Sequence, residues 1–213
     1  MPRSRRPGRG HRKPKRRILI VGEGKETEPN YFRGFRQRQS VQDRFKVEVR
    51  RGKGGTPLDA VQKAIELKEH ARRDGREFQY DDVWCVVDVE QVGQNPQLGD
   101  ARKLARQNDV HVALSNPAFE VWILAHFERT AKSFLNCDKV IEQIRKHWQR
   151  EFQREYVKND SQIYRHLGNK TADAVENAKW VREIHFQDRP DIVECNSATE
   201  VYRLVDFLLQ SPG

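Results

Sequence analysis

Hydrophobic residues fall along this chain in two regimes. Up to about residue 130, short apolar runs of β-forming residues alternate with segments of helical spacing. Ile18 to Val21 is a continuous apolar run between charge and glycine, which predicts a central strand. Thr27 or Glu28 is placed to cap the next helix, with Pro29 in its first turn and Tyr31, Phe32 and Phe35 facing inward. Phe45 to Val49 alternates and predicts a second strand. Gly52 to Gly55 reads as a loop, and Thr56 as the cap of a helix that buries Leu58, Val61, Ile65 and Leu67 and ends at Gly75. Asp82 to Val87 predicts a third strand with both faces covered. A polar loop over 88–99, a short helix over 100–108 and a fourth strand from Val110 to Leu114 follow. Asn116-Pro117 then opens a helix running to about Glu128, apolar nearly all round. Beyond 130 only helical patterns remain, near 138–153, 171–186 and 198–210, with Ser197 as the cap of the last.

Strands that alternate with helices predict an α/β fold, a mostly parallel sheet with helices on both faces. The division follows the change of pattern: a basic arm over 1–16, an α/β core over 17–130 and a helical C-terminal part over 131–213 packed on that core. At 213 residues, 36% hydrophobic and 33% charged, the chain has room for one modest core and a highly charged surface.

The net charge of +9 is concentrated at one end. Residues 1–17 hold nine Arg or Lys and no acid, and without them 31 basic residues face 31 acidic ones. Such an arm, with Pro and Gly, is expected to be disordered. Arg5, Arg6, Arg9, Arg12, Lys13, Lys15 and Arg16 are its candidates for gripping nucleic-acid phosphates, DNA or RNA, without reading sequence. A solvated tail, or one that meets an acidic protein, is the plainer alternative. Cys85, Cys137 and Cys195 are far apart and lack CxxC spacing, which argues against a disulfide framework or a zinc ribbon. No apolar run is long enough for a bilayer, and no signal segment follows the N-terminal arginines. The expectation is a cytoplasmic protein with no membrane partner.

Candidate chemistry gathers where parallel strands end, the usual ligand side of such sheets. Gly22-Glu23-Gly24 follows the first strand, with Glu26 and Glu28 close behind. Asp88 and Glu90 follow the third, and would share a face if the strand continued. Ser115-Asn116 follows the fourth, and Glu120 falls in the first turn of the next helix. Acids from three segments repel one another unless a cation intervenes, so the economical reading is a Mg²⁺ or Mn²⁺ site. Strand-end acids that simply face water, and a helix-dipole role for Glu120, are the bland alternatives. The glycine loops lack Walker spacing. His126, on the apolar stripe with Trp122 and Phe127, reads as a core histidine.

Three stretches resemble the RloB-like proteins: Ile18 to Phe32 (ILIVGEGKETEPNYF), Val86 to Glu90 (VVDVE) and Ser115 to Glu128 (SNPAFEVWILAHFE). Tyr156-x-Lys158, the segment 164–167 and the alanine-rich stretch 172–178 fit the family's C-terminal half. The likeness spans about 17–210. It implies a Toprim-like fold, in which a glutamate after the first strand acts as acid/base or metal ligand and a DxD pair after a later strand binds Mg²⁺. Glu23 matches the first role, and Asp88 and Glu90 the second, with Glu in place of the last Asp. Family members are associated with restriction-modification loci and abortive infection, which implies other phage-defence or restriction-modification components as partners.

The reading that results is a Mg²⁺-dependent nuclease. Glu23, Glu28, Asp88 and Glu90 would hold the metal, Glu23 and Glu120 would serve the chemistry, and Lys158 would neutralise the phosphate. A non-catalytic binding or partner-sensing subunit, and a nucleotidyl- or phosphotransferase, are the rivals.

Overall fold

The computed structural model describes residues 14–90, 97–186 and 188–210, the last side chain of 97–186 excepted. Four strands form one all-parallel sheet: β1 (Arg16–Gly22), β2 (Phe45–Arg51), β3 (Asp82–Asp88) and β4 (His111–Ser115), in the order β2-β1-β3-β4. The fold is therefore α/β, an arrangement consistent with a Toprim-like fold. The central pair carries the apolar runs. Ile18 and Ile20 of β1 face one side with Trp84 and Val86 of β3, while Leu19 and Val21 face the other with Val83, Cys85 and Val87. This two-residue alternation is what lets a continuous apolar strand sit between two helical layers.

The first layer holds α1 (Thr27–Phe35) and α2 (Gln39–Gln42); the second holds α3 (Pro57–Asp74) and α4 (Leu98–Gln107). Tyr31, Phe32 and Phe35 are fully buried, as their spacing predicts. Thr56 caps α3, its Oγ1 accepting from the Asp59 N–H at 3.2 Å, and α3 ends at Gly75. At α1 the cap differs from expectation. Glu26 holds the cap position with no side-chain bond, because the Thr27 hydroxyl is turned to the carbonyl of Lys158 at 2.9 Å.

The C-terminal helices are α5 (Glu120–Ala125), α6 (Cys137–Phe152), α7 (Ile163–Leu167), α8 (Thr171–Phe186) and α9 (Val201–Leu209). They share one hydrophobic cluster with α1 and the first face of the sheet. Trp122 and Trp148 lie at its centre among the largest fully buried side chains. Full burial of each large apolar side chain contributes about 1.5–3 kcal/mol, so residues beyond 130 are part of the core layer. Helix α5 is shorter than the stretch 116–128 suggests, since the apolar run continues beyond the helix at both ends.

Ser197 does not cap α9; Glu200 holds that position. Residue 197 has φ +74° and belongs to a segment laid along the outer edge of β4. There the Ser197 N–H donates to Asn116 O at 2.9 Å, the Glu200 N–H to Leu114 O at 2.7 Å, and Ser115 and Thr199 bridge antiparallel. The segment covers an edge that would otherwise expose backbone groups. No helix among the described residues is long and apolar enough to cross a membrane.

Candidate functional site

In the order β2-β1-β3-β4, the chain leaves β1 toward one side of the sheet and β3 toward the other. The crevice between them at the C-terminal ends is a topological switch point, where open α/β sheets bind ligands. Glu23 follows β1 directly, its N–H donating to Val86 O of β3 at 2.9 Å. Its carboxylate Oε2 accepts from the Asp88 N–H at 3.0 Å, which fixes it against the end of β3. Asp88 Oδ1 in turn accepts from the Phe119 N–H at 2.8 Å, just ahead of α5.

Glu28, in the first turn of α1, folds back so that its Oε1 accepts from the Gly24 N–H at 3.0 Å. A Cβ at residue 24 would stand 2.4 Å from the other oxygen, so a side chain there would push the Glu28 carboxylate out of this position. Glu120 opens α5 and is 1% exposed. Cys137 Sγ donates to its Oε2 at 3.2 Å. Lys158 Nζ lies 3.0 Å from Oε1 but out of line for a hydrogen bond, so that oxygen has a charge partner and no directional donor.

The strap carrying Lys158 is held from α1. Thr27 Oγ1 donates to Lys158 O at 2.9 Å, and Asn30 Nδ2 to Asn159 O at 3.2 Å. Two cavities open onto the assembly. One, of about 500 Å³, is lined by Gly24 to Glu28, Asp88, Phe119, Glu120, Lys158 and Asn159. The other, of about 380 Å³, is lined by Asp88, Glu90, Pro117, Asn136, Cys137 and Lys158 among others.

The electrostatics are those of crowded acids. Burial pushes the Glu23 carboxyl up to about 7; the hydrogen bond from Asp88 opposes this, and the charges of Glu90, Glu28 and Asp59 add to it. Asp88 is raised by burial and by Glu28, Glu120 and Glu23. Glu28 is raised by burial and Glu120, against its two backbone hydrogen bonds. Burial alone would lower Lys158, but Glu120 and Cys137 outweigh it and hold the ammonium above its usual range.

Glu23, Glu28, Asp88, Glu120 and Lys158, from four separate stretches, thus meet at one crevice. Glu90 reaches it differently from expectation. The strand stops at Asp88, and Glu90 takes a left-handed φ of 59° with its N–H bonded to Pro117 O. Strand alternation does not place it beside Asp88, although both line the second cavity. Sequence reasoning missed Asp59, whose signal was the Thr56-x-x-Asp59 cap, and Cys137, which carries no local signal. His126 is a buried core histidine.

Of the basic arm, Arg5, Arg6, Arg9, Arg12 and Lys13 lie outside the described residues. Lys15 donates to Gln42 O, and Arg16 begins β1, 2.7 Å from Asp82 and over the Phe207 ring. Both stand at the opposite end of the sheet from the acids, about 20 Å away along a seven-residue strand.

Among the described residues, no three His, Cys, Asp or Glu stand close enough together to form a ready metal cluster. The donor chemistry nonetheless suits a hard divalent cation: carboxylate oxygens, excess negative charge, and one Glu120 oxygen without a donor. Mg²⁺ commonly takes one or two carboxylates and keeps its waters, so a three-ligand cage is not needed.

No curated protein and no solved structure matches the chain. The family model described as RloB-like protein matches residues 18–208, a span that contains every crevice residue. The chain belongs to the RloB-like family.

Proposed function

We propose that this protein is a Mg²⁺- or Mn²⁺-dependent nuclease that hydrolyses nucleic-acid phosphodiesters. The observation that carries the reading is the convergence of Glu23, Glu28, Asp88 and Glu120 at the switch point, each raised carboxyl among them raised in part by the others, with Lys158 as the neighbouring cation. Glu23 and Asp88 would hold the ion, with Glu28 and Glu90 reaching it directly or through water. A divalent cation there would neutralise a scissile phosphate and make bound water more acidic. The Glu23 carboxyl, kept ionised by a bound cation against the burial that otherwise raises it, would be free to serve as ligand or as base toward the attacking water. Lys158 would meet a phosphate oxygen. Glu120 sits behind Lys158 and orients it, and Thr27 and Asn30 hold the strap in register.

Incubation of DNA and RNA with Mg²⁺ or Mn²⁺ tests this reading. Wild type should cleave one of them, and Glu23→Gln and Asp88→Asn should each lose about 10²–10³-fold, as when an electrostatic catalytic group is removed. No cleavage with any metal sinks the nuclease; cleavage unchanged in both variants sinks the site. A non-catalytic nucleic-acid-binding or partner-sensing subunit is the second reading, favoured by the left-handed backbone at Glu90 and the lack of a ready three-ligand cluster among the described residues. A role in phage defence, beside restriction-modification components, fits either reading.

A further inference from the structure

We infer that the crevice takes its nucleic acid as a single strand, threaded past Asp88 and Lys158 with bases packed on an aliphatic rim formed by Leu135 and Val157. The inference rests on the nuclease reading for the identity of its ligand and adds the strand state.

The first ground is depth. Glu120, Glu28 and Glu23 are 1%, 4% and 7% exposed, so these three acids form a recessed floor, while Asp88 is part-exposed and Glu90 exposed. A duplex is stiff over tens of base pairs and carries its phosphates on a convex surface. Pulling one nucleotide out of a duplex costs a few kcal/mol, whereas a single strand bends into a recess without that cost.

The second ground is shape. The cavities of about 500 and 380 Å³ both include Asp88 and Lys158 in their walls, so these two side chains stand where one chamber meets the next. Each chamber falls in the range of about 300–1,000 Å³ that accommodates a small organic ligand. A strand laid through both would put one nucleotide on either side of the Asp88–Lys158 line. Lys25, in the wall of the first chamber, adds a second cation on the same path.

The third ground is the rim. Leu135 and Val157 are 72% and 52% exposed, two of the four large exposed hydrophobic residues among those described. Leu135 directly precedes Asn136, which lines the second chamber, and Val157 directly precedes Lys158, which lines both. Duplex bases are stacked inward and cannot reach such side chains. Unpaired bases offer flat apolar faces that can.

Fluorescence anisotropy on the full chain tests this without turnover. The probe is a labelled oligonucleotide of about 12 nucleotides, within the site sizes common for single-strand binders, as DNA and as RNA. Its blunt duplex is the comparison, and Ca²⁺ replaces Mg²⁺. Wild type should bind the single strand tighter than the duplex. The double variant Leu135→Ser/Val157→Ser should weaken single-strand binding roughly tenfold, a loss of the size seen when base-packing side chains are removed, with duplex binding within about twofold. Ile184→Ser, at an exposed aliphatic position outside both chambers, should change neither. Exposed substitutions of this kind shift stability by about 0.5 kcal/mol or less, so the variants should fold, and thermal melts check this. Equal or tighter duplex binding, a parallel loss on both probes, or an equal loss from Ile184→Ser would overturn the inference. Single-strand preference without cleavage would sink the nuclease and leave the strand preference standing. Cleavage of duplex with no single-strand preference would do the reverse.

Discussion

Two groups of polar side chains lie at the two ends of α5, and they are built on opposite principles. Both ring nitrogens of His126 find a match. Its Nδ1 is 2.9 Å from Trp122 O, and since a carbonyl can only accept, Nδ1 carries the proton. Nε2 then accepts from the Tyr31 hydroxyl at 3.1 Å. The ring packs edge-on against Trp122 and Tyr31, and burial holds it neutral, pushing its pKa down to about 4. In the crevice, by contrast, Glu23, Glu28, Asp88 and Glu120 add to one another's charge, and one half-exposed lysine answers them. His126 is satisfied and helps hold the fold. The second group gathers like charges that protons or a cation would relieve, the arrangement on which the proposed function rests.

The contrast breaks most readily at the largest effect. Trp122→Ala removes a fully buried ring beside His126 and should cost about 3–5 kcal/mol in urea unfolding. Asp88→Asn should do the opposite. With EDTA at pH 8 it should stabilise the protein by about 1 kcal/mol, because it removes one of several repelling charges while its amide oxygen can still accept from the Phe119 N–H. A loss of stability like that of Trp122→Ala would show that the crevice is ordinary core.

Next in size is the response to metal. At pH 8 and about 100 times its dissociation constant, Mg²⁺ should stabilise wild type by about 2.7 kcal/mol. Asp88→Asn should show little of this shift in thermal melts. An equal shift in both would place the cation elsewhere.

The pH dependence gives slopes of opposite sign. Glu23 has a folded pKa raised from 4.5 to about 7. It contributes stability that is present below pH 4.5 and lost as pH rises through 7. His126 is depressed from 6.5 to about 4, so it contributes stability that is present above 6.5 and lost as pH falls through 4. Glu23→Gln should remove the decline of metal-free stability between pH 4.5 and 7, so that the His126 rise stands alone up to pH 6.5, and should leave the acid limb below pH 4.5 unchanged. Flattening of the acid limb instead would overturn the assignment.

The smallest effect is at the strap. Thr27→Val removes a single hydrogen bond to Lys158 O and should cost about 1 kcal/mol. If the bond registers Lys158, turnover should fall more than stability does, with the loss in kcat.

How much of this was legible beforehand differs by element. Ile18 to Val21 and Asp82 to Val87 announce themselves because a strand covered on both faces must be continuously apolar. Thr56 and Gly75 mark the ends of α3 because orphan backbone groups at helix ends have few chemical solutions. Arg16, read as part of a free arm, instead starts β1, since an ion pair with Asp82 and the Phe207 ring makes a charged residue acceptable at a strand end. Ser197 has the chemistry of a cap but lies along the β4 edge, and nothing local distinguishes the two uses.

The Gly22-Glu23-Gly24 turn, Asp88 and Glu120 were visible as strand-end and helix-start acids, because parallel topology sends all such residues to the same side of the sheet. Local chemistry therefore determined the fold class and the acidic character of the site. Which acids face one another was decided only by the tertiary structure. The strand order set Glu23 beside Asp88. A left-handed residue at 90 ended the alternation that pairs Asp88 with Glu90. A strap more than a hundred residues downstream of β1 brought Lys158 onto Glu120. Coulomb interactions and desolvation depend on distances through space, and sequence spacing constrains those only within an element.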